Sequence, residues 1–84
     1  MKPIYAVKDL AVQVFGTPFF VRAKGEAIRS FQDEANNTSS DSAIAKHPED
    51  YELYILGHYD EQTGQITPCD IELVARAKDL LRGV

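Results

Sequence analysis

The sequence of 84 residues has little of what most enzymes and membrane proteins need. Its one cysteine, Cys69, excludes an internal disulfide. No apolar run approaches the ~20 residues of a membrane-spanning helix. There is no glycine-rich phosphate loop, nucleophile elbow or cysteine–histidine pair, so the sequence predicts no catalytic residues, no cofactor and a protein that is not an enzyme.

Basic residues are also few, and they are unevenly placed. Nine Lys and Arg stand against thirteen Asp and Glu, which gives a net charge of −4. Residues 1–29 hold five bases against two acids, whereas residues 30–61 hold one base against eight acids. An acidic total argues against tight, nonspecific phosphate binding. A local basic face can still bind nucleic acid.

The length predicts a single domain over residues 1–84, near the lower limit of what folds alone. Domains of this size often gain stability by self-association. The N-terminal stretch is fairly apolar, but Lys8, Asp9 and Gln13 interrupt it and no convincing cleavage site follows. We therefore interpret it as part of a mature, cytosolic protein.

Hydrophobic patterning predicts a small α+β domain. The pattern places strands at 3–9, 19–24, 51–59 and 65–67 and a helix at 25–37. This β-β-α-β-β order is typical of a mainly antiparallel sheet covered by one helix. Residues 69–81 fit either a strand or a C-terminal helix, and we favour the helix because Ala, Arg, Lys and Leu prefer it.

Finer features of these elements can also be predicted. The helix should bury a stripe of Ala27, Ile28, Phe31 and Ala35. Alternation along 51–59 places Tyr51, Leu53, Ile55, Gly57 and Tyr59 on one face and Glu52, Tyr54, Leu56 and His58 on the other. Asp60 suits the start of a turn, and Gly64 can supply a positive φ within it.

Residues 47–68 concentrate the residue types of active and metal sites. Both histidines are here, with Glu49, Asp50, Asp60 and Glu61. His47 and His58 are eleven residues apart, whereas a convincing zinc motif places two ligands close together on one element. Adjacent carboxylates point in different directions on most elements, so they do not form a catalytic pair. We interpret the segment as framework and predict no metal site.

The candidate nucleic-acid site lies elsewhere. If residues 19–24 form a strand, Phe20, Arg22 and Lys24 point to one side of it, with Arg29 one helical turn beyond. Tyr5 or Tyr54 would add a second aromatic if its strand lies beside them. Bases stack on rings while cations follow the phosphates in single-strand binding. Two alternatives stay open: a solvated face with one packed aromatic, and an exposed apolar face or edge that makes a homodimer.

Three segments resemble a known family when they are taken together and in order. They are "PIYAVKD", "PFFVRAKGEAIRSFQDEANN" and "KHPEDYELYILGHYDEQTGQITP", and they cover about residues 3–68. The chain resembles the small nonstructural protein of gokushovirus-type microviruses, which are phages with single-stranded DNA genomes. The resemblance implies a non-capsid protein of viral genome replication, described as DNA-binding, in the cytoplasm of the bacterial host and without a cofactor.

Two functional hypotheses follow. In the first, the protein binds single-stranded DNA weakly, as a homodimer or larger homo-oligomer that multiplies a weak basic face through avidity. In the second, it is an adaptor that engages a host or phage replication protein without contacting DNA. The acidic stretch between residues 33 and 61 favours the second hypothesis.

Overall fold

A computed structural model describes residues 1–39 and 41–82, and these form one antiparallel sheet of five strands with a main helix on one side. The strands are β1 (Lys2–Asp9), β2 (Val14–Phe15), β3 (Phe19–Phe20), β4 (Tyr51–Tyr59) and β5 (Ile66–Arg76). The helices are α1 (Lys24–Ala35) and the short α2 (Ala43–Lys46), with 3-10 turns at Pro48–Asp50 and Ala77–Leu80. The sheet order is β2-β1-β4-β5, and β3 pairs with β1. No helix of the described residues is long and apolar enough to cross a membrane.

The core lies between α1 and one face of the sheet. Tyr5 of β1 and Leu53 of β4 are its largest fully buried side chains. The helix contributes Ala27, Phe31 and Ala35, all buried, as the predicted stripe requires. Two alanines on this stripe let the helix approach the sheet closely, and Phe31 fills the remaining space. The prediction of a small, mainly antiparallel α+β domain with one main helix is confirmed at this level.

The structure shortens the second predicted strand. Strand β3 covers only Phe19–Phe20, because the chain turns into α1 at Lys24. Glu26 makes this turn: its carboxylate accepts the backbone N–H of Arg22 at 3.0 Å, as at other helix N-termini. Phe19 and Val21 pack on the core as predicted, but Ala23 is exposed. The prediction that Phe20, Arg22 and Lys24 alternate along one strand is therefore wrong.

The C-terminal segment is a strand rather than the favoured α-helix. Strand β5 runs to Arg76 and pairs with β4 through Leu53 with Ala75 and Tyr54 with Leu73. This pairing satisfies the backbone of β4, which a helix would have left as an unpaired edge. A 3-10 turn follows, and the carbonyl of Leu80 accepts a hydrogen bond from the side chain of Asn36 at 3.0 Å.

A bulge in β4 changes which of its side chains share a face. Ile4 pairs with Gly57 but Tyr5 pairs with Ile55, so Leu56 is an extra residue. Tyr59 consequently lies on the same face as Tyr54, not with the core residues of β4 as predicted. The bulge depends on glycine, because a Cβ at Gly57 would lie 2.5 Å from the carbonyl oxygen of Thr67.

The connection between β4 and β5 forms as predicted. Asp60 accepts the backbone N–H of Gln62 at 2.9 Å, and the N–H of Gly64 donates to the carbonyl of Asp60 at 2.7 Å. Gly64 has a φ of 76°, which glycine adopts without strain. This turn fixes the end of the sheet at which Tyr59 is placed.

Candidate nucleic-acid interface

No helix of the described residues covers the sheet surface opposite α1, which we call the open face. Strand alternation and register assign its side chains, which are Lys2, Ile4, Ala6, Lys8, Phe15, Phe20, Glu52, Tyr54, Tyr59, Ile66, Leu73 and Arg76. Ile4 and Ala6 are 4% and 0% exposed although they lie outside the core under α1. Their aromatic neighbours on the open face therefore exclude water from them.

Four aromatic side chains form two pairs on the open face. Phe15 and Tyr54 meet edge to face with centroids 5.4 Å apart, and Phe20 and Tyr59 do so at 5.5 Å. Phe15 stands opposite Lys8 on β1, and Phe20 stands opposite Ile4. Four residues along a strand place the two pairs roughly 13 Å apart. The edge-to-face arrangement is the favourable geometry for aromatic pairs, so these rings are held in place before any ligand binds.

The predicted cations are distributed over two layers. Arg22 follows Phe20 by two residues at the β3 edge and forms an ion pair with Glu26 at 3.1 Å. Lys24 is the first residue of α1 and Arg29 lies further along it; both are exposed, and neither forms an ion pair among the described residues. The structure therefore brings Phe20 and Tyr54 onto the open face, with Arg22 at its edge, and leaves Lys24 and Arg29 in the helix layer.

Glu26 competes with any phosphate for Arg22. Its pKa is held below the ordinary value, chiefly because it accepts the backbone N–H of Arg22 and then because the guanidinium also donates to it. The carboxylate is therefore ionised at neutral pH. The pair is exposed, with the Arg22 side chain 83% accessible. Exposed ion pairs contribute ~0–1 kcal/mol, so a phosphate can displace Glu26 at small cost.

A second carboxylate organises the other end of the open face. The Tyr54 hydroxyl donates to Glu52 at 2.7 Å, and Arg76 Nε donates to the other Glu52 oxygen at 3.1 Å. The hydrogen bond to Glu52 is the main cause that raises the pKa of Tyr54, with burial second. Glu52 thereby fixes the ring of Tyr54 and neutralises part of the charge of Arg76.

Lys8 is a cation of the open face that sequence reasoning missed. Its Nζ lies 5.4 Å from the centroid of the Phe15 ring, in a cation–π arrangement. Among the described residues Lys8 forms no ion pair. The alternation of Lys2, Ile4, Ala6 and Lys8 along β1 was a signal that could have placed Lys8 there. Phe15 and Tyr59 carried no such signal, because a two-residue strand and a bulge decide their orientation.

The 3-10 turn after α2 brings together three possible metal ligands that were not predicted as a group, because the prediction rested on the spacing of the two histidines. Ligand atoms of His47, Glu49 and Asp50 all lie within 4.8 Å of one another. His58 is elsewhere, on β4 opposite Pro3 and Thr67. Exposed carboxylates at such spacing are common in proteins that bind no metal, so this grouping supports no assignment by itself.

Comparison with known proteins places the chain in a family. A family model described as phage ORF5 protein matches residues 2–80. The chain belongs to the phage ORF5 family. Protein ORF5 of Chlamydia phage 1 is 28% identical over 72 residues, which cover 83% of this chain and 75% of that protein. No solved structure matches. The resemblance to a small protein of gokushovirus-type phages is therefore confirmed.

Proposed function

We propose that this phage ORF5-family protein is a non-capsid protein of viral genome replication that binds single-stranded DNA weakly, as a homo-oligomer in the host cytoplasm. We propose no enzymatic activity and no cofactor for it. The observation that carries the proposal is that two aromatic pairs, Phe15–Tyr54 and Phe20–Tyr59, lie on the open face, which no helix of the described residues covers.

Stacking explains why such a face suits single strands. Unpaired bases stack on aromatic rings, whereas the bases of a duplex are already stacked on one another. RNA recognition motifs bind single strands in this way, with aromatics on an open four-stranded sheet. The spacing of roughly 13 Å between the two aromatic pairs is short compared with the ~4–16 nucleotides that a single-strand-binding fold covers. One strand of DNA can therefore reach both.

Charge sets the path and the strength of binding. Lys8 lies beside Phe15 at one end of the open face, and Arg22 and Lys24 follow Phe20 at the other end, where the chain leaves the sheet. A strand of DNA that crosses the open face toward β3 meets these cations in turn, and Arg29 lies beyond them. The net charge of −4 keeps binding by one copy weak. Several copies on one strand would multiply it.

Fluorescence anisotropy with a labelled single-stranded oligonucleotide tests the proposal. Phe20→Ala removes a ring that is 49% exposed, and base–aromatic stacking contributes ~1–3 kcal/mol per base. We expect affinity to fall about 5-fold to 150-fold. Leu81→Ala is the matched control, because Leu81 is 43% exposed and lies outside the open face. Absence of binding by the unaltered protein, or equal losses in both variants, contradicts the proposal, and sedimentation velocity tests the oligomer.

The second candidate function is an adaptor that engages a host or phage replication protein without contacting DNA. An apolar cavity of about 360 Å³ on the open face favours it, because apolar anchor side chains fill such cavities at protein interfaces. A pull-down from nuclease-treated host lysate separates the two functions. Retention of a replication protein by the immobilised chain, together with no binding to oligonucleotides, favours the adaptor.

A further inference from the structure

A half-open cavity adjoins Phe20 on the open face. It has a volume of about 360 Å³, and Ile4, Leu56, Ile66 and Pro68 line it beside the ring. Gly57 keeps its floor open, because this residue adds no side chain at the bulge. The described side chains around the cavity are aliphatic or aromatic. It can receive an apolar group, but it can satisfy no hydrogen-bonding edge of a base.

This chemistry distinguishes among the four bases of DNA. Thymine alone carries a methyl group, at C5, whereas adenine, guanine and cytosine present hydrogen-bonding groups on the corresponding edge. A thymine stacked on Phe20 can direct its methyl edge into the cavity while its Watson–Crick edge stays in water. Another base in the same position would leave the cavity unfilled or bury a polar group without a partner.

The charges beside the cavity suit the phosphates of such a nucleotide. Lys2 precedes Ile4 by two residues and Arg22 follows Phe20 by two residues, so the antiparallel register places both cations at the same end of the ring. The side chains of Lys2 and Arg22 are 39% and 83% exposed. Lys2 forms an ion pair with Glu61, which is exposed, and Arg22 forms one with Glu26, which is partly exposed. Exposed pairs of this kind are readily exchanged for a phosphate. The ring, the apolar cavity and the two cations thus match the base face, the methyl edge and the phosphate of a thymidine nucleotide.

We propose that the cavity beside Phe20 receives the C5-methyl edge of a stacked thymine, so that the protein prefers thymine over uracil in otherwise identical single strands. This inference rests on the proposed binding of single-stranded DNA and adds a base preference to it. Burial of one methyl group corresponds to about a fourfold difference in affinity.

Anisotropy titrations with oligo(dT) and oligo(dU) of equal length test the preference, because the two differ only in the methyl groups. We expect the unaltered protein to bind oligo(dT) about fourfold more tightly. Ile66→Thr keeps a β-branched residue at an exposed cavity position and should reduce this ratio toward one. Ile71→Thr is the control, since Ile71 is similarly exposed on β5, at 56% against 62% for Ile66, but does not line the cavity, and it should keep the ratio.

Each contrary outcome has a distinct meaning. Equal affinities for oligo(dT) and oligo(dU) overturn the thymine preference while the proposed function stands. If Ile66→Thr does not reduce the ratio of the oligo(dT) and oligo(dU) affinities, the assignment of the thymine methyl group to this cavity is overturned. No binding of either oligonucleotide overturns both proposals. If, in addition, Ile66→Thr lowers the sedimentation coefficient of the free protein and Ile71→Thr does not, the cavity belongs to an interface between copies of the chain.

Discussion

Removal of two cations between β3 and the start of α1 should halve the salt dependence of the proposed DNA binding. The change is the double substitution Arg22→Ala/Lys24→Ala, which alters side chains that are exposed and outside the core. Cations that meet phosphates release counterions, so the logarithm of the binding constant falls linearly with the logarithm of salt concentration. The slope therefore counts the cations that contact DNA, which the affinity alone does not.

The magnitude follows from the number of cations along the path. If Lys8, Arg22, Lys24 and Arg29 each meet one phosphate, the slope for a single strand is about −2.8, at ~−0.7 per contact. Between ~50 and ~200 mM salt, the affinity then falls about 50-fold. The double variant keeps two contacts, so its slope is about −1.4 and its affinity falls only about sevenfold over the same range.

The assay is fluorescence anisotropy with one oligonucleotide at four salt concentrations. The matched control is Lys78→Ala/Arg82→Ala, which removes the same charge from the C-terminal end of the described chain; Arg82 is held by Asp33 at 2.9 Å much as Arg22 is held by Glu26. We expect the control to keep the slope of the unaltered protein. Equal slopes in both double variants would show that net charge alone governs binding, and the assignment of Arg22 and Lys24 would fail.

Three further predictions concern the fold that supports the site. Leu53→Ala empties a fully buried position and should lower the free energy of unfolding by about 2–5 kcal/mol, as measured by urea titration. Gly57→Ala pushes β4 away from β5 at the bulge and should lower the free energy of unfolding by about 1–3 kcal/mol. Gly25→Ala is the control: its methyl group would meet nothing within 4 Å, so it should leave the melting temperature unchanged or raise it. Because the pKa of Tyr54 is raised in the folded state, the phenol stays protonated there at a pH at which the unfolded chain has begun to lose this proton. The contribution of Tyr54 to the stability of the folded state is therefore present below pH 10.0 and is lost as the pH rises above it. Tyr54→Phe should therefore reduce the fall in stability between pH 10 and the folded-state pKa, and an unchanged alkaline unfolding curve would contradict this.

Segments with strong local signals could be predicted from the sequence. Strand β4 occupies the predicted residues 51–59, because tyrosine, leucine and isoleucine make up most of this segment and a turn at Gly64 follows it. Helix α1 begins and ends within two residues of its predicted bounds, because its apolar stripe repeats at helical spacing. In both cases, the residues that determine the element lie within it or a few residues from its ends.

Tertiary contacts decided the features that sequence reasoning missed. Residues 69–76 have the helix propensity of Ala and Leu, but the free edge of β4 recruits them into β5. Tyr59 changes face because Leu56 bulges where Gly57 approaches β5, and alternation alone cannot show an inserted residue. The candidate site depends on these same features, so its aromatic half could be predicted only in part, through Phe20 and Tyr54.

The acidic side chains near the cations explain how the proposed surface for DNA can exist on a chain with a net charge of −4. Glu26 holds Arg22 and Glu52 holds Arg76, so the two arginines beside the aromatic pairs are neutralised within the free protein. A phosphate must replace a carboxylate at each of them, and the exchange yields little net energy in water. Lys8 is different, because it forms no ion pair among the described residues although Glu52 stands opposite it on β4, and its Nζ lies 5.4 Å from the centroid of the Phe15 ring. In the proposed complex with DNA, stacking therefore supplies most of the binding energy of one copy, and charge from Lys8 and from the start of α1 sets the path.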